Sequence, residues 1–213
     1  MVKRKFYVIL LICFLNYPCL LADKIEIEKA QNALKSNNFK QAVELYSGLI
    51  SIYSGYAPFY YGRGMAYYYL DENDNAEADF QKAIDFEPNY FDAYLGLAYT
   101  FIHKRNYKKS LELIEKAIQI NPKSSNAFYT KGLINYLDEK YKNAVDDFSV
   151  AIKLDIQNAN ALYGRAIAYY QLKNYENAKI DFNAFIMKNN ELFELKIEAE
   201  RLLKIMSGTS KTN

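Results

Sequence analysis

Residues 57–90 read APFYYGRGMAYYYLDENDNAEADFQKAIDFEPNY. The stretch closes on Phe86-Glu87-Pro88, and two later segments close alike at 34-residue steps, Ile120-Asn121-Pro122 and Leu154-Asp155-Ile156. Self-similarity at a fixed period of this size marks a repeat array, and it takes precedence over any local reading. With Pro88 as position 32 of a 34-residue unit, five units follow without a gap: 23–56, 57–90, 91–124, 125–158 and 159–192.

The units agree in side-chain size. Position 8 is small in all of them (Ala30, Gly64, Ala98, Gly132, Ala166), and so is position 20 (Ala42, Ala76, Ser110, Ala144, Ala178). Position 24 is large (Tyr46, Phe80, Ile114, Phe148, Phe182), and position 28 is isoleucine throughout. Small residues let two backbones approach and large ones fill the space between them. At helical spacing in both halves of each unit, this alternation predicts an antiparallel helix pair, A then B.

The pattern large-x-x-x-small-x-x-aromatic, followed by alanine, aromatic, alanine and proline, resembles the tetratricopeptide repeat. The second unit carries it as Tyr60, Gly64, Tyr67, Ala76, Phe80, Ala83 and Pro88. The resemblance spans 23–192 and departs from the pattern at Asn135, Ile156 and Asn190. It implies an all-α, right-handed α-solenoid of five antiparallel helix pairs. Leu192, Leu195, Ala199, Leu202 and Met206 then predict a capping helix over 193–206, which would cover the last repeat's core, and 207–213 reads as a polar tail.

The first 22 residues are of another kind. Lys3, Arg4 and Lys5 precede the apolar run Phe6–Leu15, and Pro18 and Ala22 follow. This is the layout of a signal peptide cut after Ala22, or else of an uncleaved anchor through 6–21. Either places the repeats outside the cytoplasm, periplasmic or secreted. Cys13 and Cys19 both lie here, so the remainder has no thiol for a disulfide, a metal or catalysis. Proline beside Cys19 is a poor match to a lipidation signal.

Charge narrows the function. Three of the 27 basic residues lie in the first 22, which leaves 24 against 25 acids. A near-neutral surface lacks the electrostatic footprint of nucleic-acid binding. His103 stands alone, no glycine-rich phosphate loop is legible, and no His/Asp/Glu set has metal spacing. Asp71, Glu72 and Asp74 read as a solvated turn, without the spacing of a calcium loop. The sequence therefore predicts no enzyme, no metal and no cofactor. It reads as one domain.

Two constellations stand out. Position 7 (Lys29, Arg63, Leu97, Lys131, Arg165) varies with position 23 (Leu45, Asp79, Leu113, Asp147, Asp181). From the second unit on, a base at 7 goes with an acid at 23, and leucine with leucine. This predicts the ion pairs Arg63–Asp79, Lys131–Asp147 and Arg165–Asp181, which bridge the helices of one hairpin and serve structure. The second constellation follows from the resemblance, which implies a concave face lined by A helices. It would carry Tyr61, Met65, Tyr68, Tyr69, Tyr99, His103, Tyr129, Leu133, Tyr136, Tyr163, Ile167 and Tyr170, with glycine at position 6 leaving room between them. Tyrosine offers area, a polar tip and little rotamer entropy to lose, so the expected function is to bind a peptide or helix of an envelope partner. The alternative is a structural subunit that self-associates or assembles through the solenoid's edges. The clamp for a C-terminal carboxylate, known in co-chaperones of the family, is absent in every frame; the first would need basic and amide residues where Ile27, Gln31, Gly62, Asp92 and Gly96 stand.

Overall fold

The computed structural model describes residues 23–188 and 193–208. The signal-like segment, the junction containing Asn190 and Leu192, and the last five residues lie outside these. The described residues form α-helices joined by short turns, with no strand among them. The A helices are α1 (23–35), α3 (Ala57–Tyr69), α5 (Phe91–His103), α7 (Ser125–Leu137) and α9 (Ala159–Gln171). The B helices are α2 (Phe39–Ile52), α4 (Asn73–Phe86), α6 (Tyr107–Ile120), α8 (Tyr141–Leu154) and α10 (Tyr175–Lys188). Each helix begins 34 residues after its predecessor of the same kind. α11 (Phe193–Gly208) follows. It runs two residues past the predicted 206, so Ser207 and Gly208 belong to the helix and not to a tail.

The turns inside the hairpins repeat to the atom. Each A helix ends in a left-handed residue at position 15: Asn37, Asp71, Arg105, Glu139 and Lys173, with φ of 55–61°. The next amide then reaches back five residues, as from Lys140 N to Asn135 O (2.8 Å) and from Asn174 N to Tyr169 O (2.9 Å). This satisfies carbonyls that the helix end would otherwise orphan. Asp71 and Glu72 are exposed in such a turn, where Asn73 donates to the Asp71 carboxylate (2.8 Å). Among the described residues no cluster of acids, histidines or cysteines could hold a metal.

Contacts divide the chain into two compact units, one ending at Thr100 and the other starting at Phe101, where the sequence reads as one domain. The physical reason is that a repeat touches only its neighbours, so no central core ties all hairpins together. In the first unit the core gathers Ala30, Ala42, Tyr46, Phe59 and Ala66. In the second it gathers Ala144, Phe148, Ala166, Ala178, Phe182 and, from α11, Ala199, Leu202 and Met206.

The aromatic at position 24 is the pivot of this packing. Phe148 lies between two A-helix glycines: a Cβ on Gly132 would come within 2.7 Å of its ring, and one on Gly164 also within 2.7 Å. Phe80 is held the same way between Gly64 (2.9 Å) and Gly96 (2.7 Å), and Gly62 faces the Tyr46 ring. The glycines at position 6 are therefore not open floor of a groove, as the sequence suggested. Each is filled by the ring of the preceding unit. Where position 24 shrinks to Ile114, position 6 grows to Thr130.

Candidate functional site

The A helices present the candidate binding residues, unit by unit. In the second unit α7 and α9 pack side by side. Tyr129 and Tyr163 take the same place on the two helices, as do Leu133 and Ile167, and Tyr136 and Tyr170; all six are partly exposed. Their rings also serve the core. Tyr129 lies 5.9 Å from Phe148 and Tyr163 lies 5.8 Å from Phe182, centroid to centroid. Tyr136 and Tyr170 rest against Tyr141 (5.5 Å) and Tyr175 (5.7 Å) at the start of the following B helices. Gln171 donates to the Tyr136 hydroxyl across the α7–α9 seam (3.4 Å). Beside these stand Asn126, Leu137 and Asn160, so the strip carries no charged side chain on either helix. Its rim toward α11 is the Glu198–Arg201 pair, joined at 2.7 and 2.8 Å. Burial, with Glu198 adding its charge, pushes the Tyr163 hydroxyl above its ordinary pKa. It therefore stays a donor at neutral pH.

In the first unit Tyr61, Met65, Tyr68 and Tyr99 are partly exposed, and Tyr69 is exposed. Tyr61 packs on Phe80 (5.9 Å) and Tyr90 (5.3 Å), and burial with Asp92 nearby pushes its hydroxyl up to about 12. Tyr68 meets Tyr69 (5.5 Å) and Tyr99 (6.5 Å). His103, exposed, is the last residue of α5.

The charged constellation lies within the hairpins. Arg63 grips Asp79 with both ends of its fork, Nε to Oδ2 at 2.7 Å and Nη2 to Oδ1 at 2.8 Å. Arg165 grips Asp181 in the same geometry, at 2.7 and 2.8 Å. The hydrogen-bonded aspartates hold both guanidiniums above their ordinary pKa. Lys131 sits looser, 3.8 Å from Asp147 Oδ1, and Asn135 donates to Asp147 Oδ2 at 2.7 Å. Asn135 is thus no random departure from the repeat pattern. Lysine is a point donor and leaves one carboxylate oxygen unserved, which the amide then takes. Desolvation pushes the Asp147 carboxyl up, against Lys131 and Asn135, which act to lower it.

The cation at position 7 has a second partner that sequence comparison within units missed, because it belongs to the preceding unit. Position 25 supplies it: Ser47 to Arg63 (3.0 Å), Ser149 to Arg165 (3.1 Å) and Glu115 to Lys131 (3.8 Å). Each cation so ties three helices. Around Lys131 they leave an open cleft of about 370 Å³ lined by Glu115, Asn135, Lys140, Asp146 and Asp147 among others, with charges of both signs. The differing residue types at position 25 hid the link in the sequence.

The comparisons with known proteins agree with this architecture. Residues 57–90 match the tetratricopeptide repeat family model, and residues 103–180 match that of the anaphase-promoting complex (cyclosome) subunit 3. No curated protein matches the chain by sequence. Among solved structures, pilF of Pseudomonas aeruginosa is 16% identical at a TM-score of 0.75, covering 88% of this chain and 88% of its own. MamA from Desulfovibrio magneticus RS-1 is 19% identical (TM-score 0.68, 78% of this chain and 93% of that one). YrrB, described as a TPR protein with an unusual peptide-binding site, is 21% identical (TM-score 0.63, 83% and 90%). These likenesses establish the fold.

Proposed function

Taking the chain as a tetratricopeptide-repeat protein, on its matched repeat over 57–90 and its fold, we propose that it is a non-catalytic interaction module. It holds a peptide or helix of a cell-envelope partner against the tyrosine-lined faces of its A helices. The observation that carries this reading is the α7–α9 strip: large side chains at matched positions, all partly exposed, with no charge among them. Such a strip removes apolar area from water on binding and keeps hydroxyl donors for the partner's backbone. The fold likeness to a peptide-binding protein supports it. The envelope location rests on the basic start and the short apolar run of residues 1–22.

The test must spare the core, because Tyr129 and Tyr136 also pack internally. Leu137→Glu with Gln171→Glu places two charges on exposed positions of the strip. In a crosslinking pull-down from the native envelope this variant should lose its partner while helicity stays unchanged. Capture of the same partner at the same yield refutes the reading.

A further inference from the structure

We propose that α11 is a dimerisation helix whose outer face receives the α11 of a second copy, antiparallel to it. The proposal does not rest on the proposed function and concerns α11, which follows the tyrosine strip at the end of the chain's second unit.

The inner face of α11 is spent on the core through Ala199, Leu202 and Met206. Its outer face is not polar, as a terminal cap's should be. Phe193 is 70% exposed and Ile197 51%, one turn apart. On α10, which α11 packs against, Ile180 and Met187 are 64% and 87% exposed. On α11 itself Ile205 is 43% exposed as well, and exposed apolar side chains repeated along one helix mark an interaction site.

Charge identifies the occupant. Glu198 and Arg201 are already joined to each other, so the first half of α11 offers Glu194 and Glu200 against Lys196, and the second half offers Lys204 with no acid. A parallel copy would set like charge on like. An antiparallel copy sets Glu194 opposite Lys204 and Phe193 opposite Ile205, and both contacts occur twice because the pairing is isologous. Helix-on-helix packing of this kind is what each internal A helix already has from its B helix.

Sedimentation velocity of the full-length chain between about 1 and 100 µM should show a monomer–dimer equilibrium. Ile197→Glu changes an exposed residue, so the fold should remain, as circular dichroism will show, and the dimer should vanish. Glu194→Lys and Lys204→Glu should each weaken the dimer by about tenfold, since two pairs switch from attraction to repulsion. The double variant should recover it. A monomer at all concentrations overturns the proposal, as does a dimer that survives Ile197→Glu, which would then be carried elsewhere, residues 1–22 included. An assembly beyond two also overturns it, because an isologous pair closes at two. Failure of the double variant to recover overturns the antiparallel arrangement.

Discussion

Asp181→Ala puts the bridging ion pairs to the test. The Asp181 side chain is 5% exposed and Arg165 21%. Truncation removes both charge-assisted bonds and leaves a guanidinium, mostly out of water, with Ser149 as its remaining partner in this set. Breaking a buried pair from one side typically costs about 3–5 kcal/mol. The exposed fifth of Arg165 lets water recover part of that, which brings the expected cost to about 3 kcal/mol. In urea the midpoint should fall at nearly constant slope, because the surface exposed on unfolding is almost unchanged. In a thermal scan the drop should be about 6–12 °C. Arg165→Leu with Asp181→Leu copies Leu97 and Leu113, which are buried in the third unit. This double variant should return to within about 1 kcal/mol of the parent, since no charge is stranded. Asp147→Ala should cost less, about 1–2 kcal/mol, because Lys131 lies farther off, is more exposed and keeps Glu115. The reasoning fails if Asp181→Ala costs under about 1 kcal/mol or if the double leucine variant is less stable than the single.

Other expectations follow from the same geometry. Gly132→Ala drives a methyl into the Phe148 ring and should lower stability by about 1–3 kcal/mol; Phe148→Ile, which copies the third unit, should relieve much of that cost in a double-variant cycle by denaturant melts. Asp147 has its carboxyl pushed up in the folded state, so the native form takes up protons and this group's contribution falls as pH rises above the ordinary carboxylate range. Lys131→Met removes the largest opposing influence and should make stability fall more steeply between about pH 4 and 7, whereas Lys131→Met with Asp147→Asn should be flat across it. Glu139→Gly should be neutral or stabilising by up to about 1 kcal/mol, as glycine relieves the left-handed turn but adds freedom to the unfolded chain; a loss would contradict the strain assigned there. N-terminal sequencing of protein from its native source should begin at Asp23, and a retained Met1 in the membrane fraction would show the anchored form instead.

The repeat register was legible because small and large residues recur at fixed places, and the helices of every described unit start where that register puts them. The Arg63–Asp79 and Arg165–Asp181 contacts were legible because both partners lie in one unit and change together. What the sequence hid are relations between units. Ser47, Glu115 and Ser149 share a position and a role but not a chemistry, so no pattern announced them. Gly62, Gly96 and Gly164 were visible, yet their meaning depended on a ring one unit earlier. The tyrosine strip was legible as a row on the A helices, but not the extent to which each ring is engaged in packing.

The lodging of the position-24 ring between two glycines has a consequence for how such a gene can grow. If units were copied or reordered at their 34-residue boundaries, each junction would have to match a ring on the left to a hole on the right. The unit that ends with Phe80 or Phe148 accepts only a successor with glycine at position 6. The unit with Ile114 has no ring to fill such a hole and suits a successor with Thr130. Duplicating unit two next to itself preserves a fit, while moving unit four behind unit two forces a threonine against a phenylalanine. The units are therefore not interchangeable beads. They follow a grammar of succession, and the order in which they stand is itself part of what is inherited.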